Sequence, residues 1–279
     1  MSRPPTFTPP PRTRAHALLT ARGAFAVLDA SPPAEPRGTA LLLPGYMGSK
    51  EDFIALLEPL SAAGYRIVAA DGRGQYETEG TDRQDDYGQS ELARDVLAQA
   101  DALGGSVHLL GHSLGGQIAR AAVLLDASPF RSLTLMSSGP AQVVEAQQLK
   151  VKMLSDALAT LSMADVWDAM RALDPPEDAA AANDEGLRRR WLRHRPAQLI
   201  ATGRQLATEP DRVAELTSVP LPFHVLSGER DDTWPVPLLD EMAQRLGAHR
   251  SRIAGAEHSP NTDRPEQTAA ALTAFWDGV

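Results

Sequence analysis

The segment VHLLGHSLGG, residues 107–116, begins with an apolar run at 107–110 and ends at the start of a helix-like pattern. A chain that turns from strand to helix within so few residues needs a strained, exposed turn. Gly111 and Gly115 would let the strand and the helix approach each other without a Cβ clash. Ser113 would then stand at a helix N-terminus, where the dipole favours developing negative charge. We therefore predict that Ser113 is a nucleophile.

The chain has 279 residues and a net charge of −9, and its hydrophobic fraction of 43% is ordinary for a soluble globular protein. This negative charge argues against nucleic acid as a partner. The chain has no cysteine, which excludes disulfides, thiolate catalysis and zinc–thiolate sites. No apolar run approaches the roughly 20 residues of a membrane span, and the proline-rich start lacks a signal-peptide core. We expect a cytoplasmic protein.

Apolar strand patterns alternate with amphipathic helix patterns along most of the chain. This alternation predicts an α/β fold with a mostly parallel central sheet, flanked by helices on both faces. Residues 1–14 are proline-rich and are predicted to form a disordered tail. The predicted strands lie at 15–29 (a hairpin), 39–43, 66–70, 107–110, 132–136, 223–226 and 251–253, and the predicted helices at 51–63, 90–103 and 267–276.

Between residues 140 and 219 the sequence has helical patterns and no convincing strand. An all-helical insertion between two strands of a parallel sheet is expected to cover the strands' C-terminal ends, where ligands of such sheets bind. The predicted core is 15–140 and 216–279, and the predicted helical cap is 141–215. Within the cap we predict helices at 141–158, 163–173, 185–193 and 196–206, and a loop at 174–183.

A base and an acid follow the last two predicted strands. A serine hydroxyl is a poor nucleophile unless a base accepts its proton, and that base needs an acid to orient it. The loop after 223–226 carries Asp231 and Asp232, and the loop after 251–253 carries His258. The order serine, aspartate, histidine is the chain order of one particular type of catalytic triad.

Five motifs lie at or near these strand ends, namely LLLPGYMGSKEDF, DGRGQ, GHSLGG, LSGERDDTWP and GAEHSP. With these motifs the chain resembles the α/β-hydrolase superfamily, over roughly residues 15–279. The resemblance implies an α/β-hydrolase fold with Ser113 as nucleophile, His258 as general base and acid, and Asp231 as the residue that orients His258. It also implies an oxyanion hole formed by the backbone N–H groups of Tyr46 and Leu114.

The chain departs from the family pattern at two places. Pro44 stands where many members carry histidine, which removes an imidazole but leaves the backbone donor. The acid is doubled, and the spacing from Gly228 favours Asp231 over Asp232 as the orienting residue. The nucleophilic aspartate of haloalkane dehalogenases and epoxide hydrolases is absent, which disfavours those two reactions.

Three residues are candidates for the wall of a substrate pocket, namely Trp167, Met170 and Trp234, although each could equally be ordinary packing. A basic cluster is interpreted as a solvated helix face, with binding of a substrate anion as the alternative. Its members are Arg188, Arg189, Arg190, Arg193 and Arg195.

The predicted function is hydrolysis of a small to medium, largely apolar carboxylic ester through an acyl-enzyme, with a small-molecule substrate and without cofactor or metal. One alternative is a lyase or C–C-bond hydrolase, resembling the menaquinone-pathway synthase and the meta-cleavage-product hydrolases, in which the triad transfers protons. A second alternative is a non-catalytic ligand-binding protein on a hydrolase fold. Substrate specificity is expected to depend on the shape of the cap.

Overall fold

A single eight-stranded sheet forms the centre of the molecule. The computed structural model describes residues 2–173 and 184–279. The strand order is β1-β2-β4-β3-β5-β6-β7-β8; β2 is antiparallel to β1 and to β4, and every other neighbouring pair is parallel. The strands are β1 (Thr13–Thr20), β2 (Gly23–Ala30), β3 (Gly38–Leu43), β4 (Tyr65–Ala70), β5 (Val107–His112), β6 (Phe130–Met136), β7 (Phe223–Gly228) and β8 (His249–Ile253).

Helices cover both faces of this sheet. Those in the described residues are α1 (Ile54–Ala62), α2 (Gln89–Ala102), α3 (Leu114–Leu125), α4 (Glu145–Leu158), α5 (Met163–Leu173), α6 (Asp184–Arg193), α7 (Pro196–Thr208), α8 (Val213–Leu216), α9 (Val236–Leu246), α10 (Pro260–Asp263) and α11 (Pro265–Asp277). Short 3-10 helices lie at Lys50–Phe53 and Gln84–Tyr87. No helix within the described ranges is both long and apolar enough to cross a membrane.

The core consists of two apolar layers, one on each side of the sheet. Successive side chains of a strand point to opposite faces, so Leu41 packs beneath α2, α3 and α9, whereas Leu42 packs beneath α1 and α11. Parallel strands covered on both faces are near-continuous apolar runs, as the sequence of β3 shows. The predicted fold class is confirmed.

Helix α9 was not predicted from the sequence. Pro235 and Pro237 flank its start, and this pair of prolines is typical of a loop when only the sequence is considered. Proline is tolerated in the first helical turn, because the N–H groups there lack intrahelical partners. Pro235 is the N-cap of α9 and Pro237 lies in its first turn, so these prolines begin a helix rather than interrupt one.

The regular structure described between β6 and β7 is all helical. Helices α4 to α8 lie in 141–173 and 184–216, over the range predicted to be the cap, and these ranges contain no strand. The predicted loop at 174–183 lies outside the described residues. Because β6 and β7 are parallel neighbours, the inserted segment leaves the sheet at the C-terminal end of β6 and crosses back to the N-terminal end of β7.

The proline-rich start differs from the predicted disordered tail. β1 begins at Thr13, and the residues before it pack against the inserted helices. The ring of Phe7 lies 6.4 Å from that of Tyr76 in an edge-to-face arrangement, and the side chain of Phe7 contacts Gly186 of α6. An aromatic anchor of this kind can hold an extended segment that has no secondary structure of its own.

Candidate active site

Ser113 occupies a strained turn between β5 and α3, with φ 54° and ψ −119°. A non-glycine residue with positive φ costs of order 1–3 kcal/mol and persists only where the surroundings hold it. The Ser113 N–H donates to the Met136 carbonyl at 2.9 Å, and the Ser113 carbonyl accepts from Gly116 N–H at 2.9 Å. A methyl group at Gly111 would overlap the carbonyl group of Gly115. The two glycines therefore allow the close approach that the turn requires.

The three residues predicted to form the triad lie within hydrogen-bonding distance of one another. His258 Nε2 is 3.2 Å from Ser113 Oγ, and His258 Nδ1 is 3.0 Å from each carboxylate oxygen of Asp231. A carboxylate only accepts hydrogen bonds, so Nδ1 carries the proton and Nε2 presents its lone pair to the serine. This is the arrangement in which an imidazole can accept a serine proton.

Asp231 and Asp232 have different surroundings. The Asp231 side chain is fully buried, and its Oδ1 accepts hydrogen bonds from the backbone N–H groups of Thr233 at 2.8 Å and Trp234 at 3.1 Å. Asp232 is exposed, and its Oδ2 accepts a hydrogen bond from Gln147 of α4 at 2.9 Å. Only Asp231 bonds to His258, which agrees with the register favoured by the sequence.

The two backbone N–H groups predicted to form the oxyanion hole, those of Tyr46 and Leu114, belong to segments that adjoin Ser113. Leu114 is the first residue of α3, so its N–H has no intrahelical acceptor. The loop after β3 packs against the serine, since a methyl group at Gly45 would lie 3.1 Å from Ser113 Cβ. Neither N–H donates to another group among the described residues. Two unused donors beside a nucleophile are the components of an oxyanion hole.

His112 holds the loop that carries His258. Burial lowers the pKa of His112 to about 3, so its ring is neutral. Its Nε2 lies 2.9 Å from the His258 carbonyl, which can only accept, so Nε2–H is the donor. The two imidazole rings are 5.1 Å apart. His112 therefore acts on the position of His258 rather than on a reacting atom.

Ser113 and His258 open into a cavity of about 650 Å³ beneath the inserted helices. Pockets for small-molecule ligands typically measure roughly 300–1,000 Å³. The wall is mainly apolar, and the residues that carry this character come from the loop after β3 and from helices α4, α5 and α7. They include Tyr46, Met47, Val151, Leu154, Met170 and Leu206.

Comparison with known proteins places the chain in a family. Residues 40–271 match the family model described as Alpha/beta hydrolase family, a range that includes most of β3, all of β4 to β8, and Ser113, Asp231 and His258. The chain is an α/β hydrolase. The resemblance inferred from the five motifs is thereby confirmed.

Proteins similar to this α/β hydrolase include esterases. It is 30% identical over 222 residues to the pimeloyl-[acyl-carrier protein] methyl ester esterase of Aeromonas hydrophila, covering 75% of this chain and 84% of that protein. A hydrolase from Pseudomonas aeruginosa aligns with TM-score 0.76 and 20% identity, covering 94% of this chain and 98% of that one. A thermophilic esterase from Thermogutta terrifontis aligns with TM-score 0.74 and 19% identity, covering 95% and 98%.

Of the three predicted pocket residues, only Met170 lines the cavity. Trp167 is almost fully buried in the apolar cluster of the inserted helices. Trp234 is fully buried, and its indole N–H donates to the carbonyls of Ala141 and Gln142 at 3.0 and 3.1 Å. The prediction that Trp167 and Trp234 wall the pocket is therefore wrong. Both indoles lie in packed interiors, because a large aromatic ring contributes most to stability where its whole apolar surface is buried.

Arg190 was predicted to lie on a solvated face, and the structure buries it. Its Nη1 donates to Asp52 Oδ1 at 2.6 Å, and both side chains have no exposed surface. Burial raises the pKa of Asp52, and the guanidinium of Arg190 opposes that rise. A sequence signal was present: Leu187, Arg190, Trp191 and His194 follow the spacing of one helix face, and all four are buried.

Ser2 also lies at the cavity, beside the loop that carries His258. Its carbonyl accepts a hydrogen bond from Arg190, and its hydroxyl lies 3.1 Å from the hydroxyl of Ser259, the residue after His258. Asp52 and Ser2 both line the cavity. The sequence analysis identified neither residue, because their contacts join parts of the chain that are far apart.

Asp231, Asp232 and His258 form the one group in the described ranges whose donor atoms are close enough to share a metal ion, all lying within 4.8 Å. His258 Nδ1 and both Asp231 oxygens already bond to each other. Asp232 bonds to Gln147 and to Thr233. We assign no metal to this group, since the donor atoms of Asp231 and His258 are already paired with each other.

Proposed function

We propose that this α/β hydrolase cleaves carboxylic esters through an acyl-enzyme on Ser113. The observation that carries the proposal is the continuous contact from Ser113 Oγ to His258 Nε2, and from His258 Nδ1 to Asp231. A protein that only binds a ligand has no need of a strained serine in contact with an oriented imidazole. The similarity to the methyl ester esterase of Aeromonas hydrophila supports the ester class.

The geometry supports the following sequence of steps. Ser113 Oγ attacks the ester carbonyl carbon while His258 Nε2 accepts the hydroxyl proton. The oxyanion of the tetrahedral intermediate is stabilised by the N–H groups of Tyr46 and Leu114. The intermediate collapses as His258 gives its proton to the departing alcohol, leaving an acyl-serine. Water, deprotonated by His258, then releases the carboxylic acid by the same route in reverse.

The cavity favours a small to medium, largely apolar acyl group. Its volume of about 650 Å³ and its apolar side chains suit a hydrocarbon portion, since burying each CH₂ group contributes about 0.8 kcal/mol. We therefore expect kcat/KM for p-nitrophenyl esters to rise from acetate to butyrate and octanoate, until the cavity is filled.

The experiment that tests this function combines a burst assay with a serine-directed probe. Wild-type protein should release a stoichiometric burst of p-nitrophenol and be labelled on Ser113 by a fluorophosphonate. Ser113→Ala should lose the label and lower kcat by roughly 10⁴–10⁶-fold. Labelling without ester turnover would support the alternative in which the triad only transfers protons. Absence of both labelling and turnover would leave the ligand-binding alternative.

A further inference from the structure

The Gly45–Tyr46 peptide is the part of the oxyanion hole that lies outside any helix or strand. A peptide unit is planar and trans, so the carbonyl of Gly45 and the N–H of Tyr46 point in opposite directions. Whatever fixes the Gly45 carbonyl therefore fixes the direction of the Tyr46 N–H. The Leu114 donor needs no such support, because helix α3 holds it.

Two groups hold the Gly45 carbonyl. It accepts hydrogen bonds from Gly48 N–H at 3.1 Å and from Gln75 Nε2 at 3.1 Å. The first bond is local and closes a turn of the same loop. The second comes from the loop after β4, and it is the one that ties the peptide to a separate part of the fold.

The side-chain amide of Gln75 has a fixed orientation. Its Oε1 accepts a hydrogen bond from Gly72 N–H at 2.9 Å. Since that N–H can only donate and the Gly45 carbonyl can only accept, the amide cannot be reversed without losing both bonds. Gln75 is only 5% exposed, so water does not readily replace either partner.

The loop that carries Gln75 is itself anchored to the loop after β3. Asp71 is fully buried, and its Oδ1 accepts from Lys50 N–H at 2.7 Å while its Oδ2 accepts from Lys50 Nζ at 2.9 Å. Burial raises the pKa of Asp71 to about 7, opposed by the Lys50 ammonium. The two segments are therefore joined by a buried ion pair, which fixes the backbone of the loop that carries Gln75.

Position 45 is a glycine, and a Cβ there would make a tight contact of 3.1 Å with Ser113 Cβ. Glycine, however, leaves the following peptide free to rotate. We propose that Gln75 is a positioning residue that holds the Gly45–Tyr46 peptide with its N–H directed at the oxyanion. This inference rests on the proposed ester hydrolysis, and it assigns a role to the DGRGQ motif that the triad does not use.

The variant Gln75→Glu tests the assignment most directly. It keeps the size of the side chain and the acceptor for Gly72 N–H, and places a carboxylate oxygen where the donor to the Gly45 carbonyl was. We expect kcat to fall by roughly 10–100-fold with KM changed less than about threefold, because loss of a whole oxyanion donor costs roughly 10²–10³-fold. The affinity for an alkyl boronic acid, which forms a tetrahedral adduct, should fall by the same factor as kcat.

The matched control is Gln205→Glu. Gln205 Nε2 donates to the Tyr87 carbonyl, so this variant introduces the same chemical change away from Ser113, and it should keep the wild-type kcat and boronic acid affinity. If Gln75→Glu does not fold, Gln75→Met, which removes both bonds without adding charge, is expected to show the same kcat decrease in protein whose folding is verified by circular dichroism, although its melting temperature should be lower.

The outcomes separate this inference from the proposed function. An active wild type together with a folded Gln75→Glu or Gln75→Met of unchanged kcat and boronic acid affinity would overturn the role of Gln75 alone. A decrease shared equally by Gln205→Glu would also overturn it. A wild type that neither hydrolyses esters nor reacts with fluorophosphonate would overturn the proposed function, and this inference with it.

Discussion

At the scale of single residues, the doubled acid after β7 gives a sharp test of the triad. We expect Asp231→Asn to lower kcat by roughly 10⁴-fold, because an amide at this position favours the wrong tautomer of His258. Asp232→Asn should change kcat by a few-fold at most, since Asp232 is exposed and an exposed charge contributes at most about 1 kcal/mol. Steady-state kinetics on a p-nitrophenyl ester, with circular dichroism to verify folding, measures both.

The reverse pattern in these two variants would mean that the loop after Gly228 carries its functional acid one residue later than proposed. If both variants stay active, the acid lies elsewhere in the chain.

The positions of the triad residues could be predicted, and the environments of several neighbours could not. Ser113, Asp231 and His258 each follow a strand, and the ends of parallel strands meet at one edge of the sheet, so chain order alone placed them together. Trp234 follows the same strand as Asp231 but turns into packing. The indole of Trp234 is held in packing by hydrogen bonds to the carbonyls of Ala141 and Gln142. These acceptors are 93 and 92 residues away in the chain, so the sequence around Trp234 does not reveal them.

At the scale of elements, the Arg190–Asp52 ion pair joins helix α6 to the 3-10 helix Lys50–Phe53. Breaking a buried pair by removing one partner leaves an uncompensated charge, which costs about 3–5 kcal/mol. We expect Asp52→Asn and Arg190→Met each to lower the free energy of unfolding by about that amount. The double variant should lose clearly less than the sum of the two.

Urea unfolding of the wild type, both single variants and the double variant measures this coupling. Arg188→Met, which changes an exposed arginine of the same helix, is the control and should alter the free energy of unfolding by no more than about 0.5 kcal/mol. Strict additivity of the two single variants would show that the pair does not couple α6 to the core.

The helices show which patterns a sequence can and cannot resolve. Helices α5 and α7 begin where apolar periodicity and an initial proline predicted. In α6 the density of arginines suggested a solvated face, although the spacing of Leu187, Arg190 and Trp191 matched a buried one. A buried arginine is recognisable only once its acidic partner is known, and Asp52 lies in a different part of the chain.

At the scale of the whole molecule, buried histidines make stability depend on pH. Burial lowers the pKa of His108 and His194 to about 4, and that of His112 and His224 to about 3. In the unfolded chain a histidine titrates near about 6.5. Above that pH all four histidines are neutral in both the folded and the unfolded protein, so protonation does not reduce the free energy of unfolding. As the pH falls, the unfolded chain binds protons that the folded protein excludes, and stability is lost.

We expect the free energy of unfolding to fall steeply between pH 6.5 and about 4, by about 2 kcal/mol per buried histidine at pH 5. His108→Gln should reduce that loss by the share of one histidine. Urea unfolding at pH 8, 6.5 and 5 measures both quantities. A free energy of unfolding that is constant from pH 8 to 5 would contradict the burial of these rings. The sequence supplies seven histidines, but only the tertiary structure distinguishes the buried ones.

The position of Ser2 has a practical consequence for handling the protein. Its hydroxyl lies 3.1 Å from that of Ser259, at the wall of the cavity, so a peptide fused ahead of it would be attached directly beside the substrate volume. An affinity tag at that end is therefore expected to change substrate access and the measured kinetics. Asp277 near the other end bonds to Tyr65, the first residue of β4, at the edge of the sheet opposite the active site. A tag after Val279 leaves the cavity untouched.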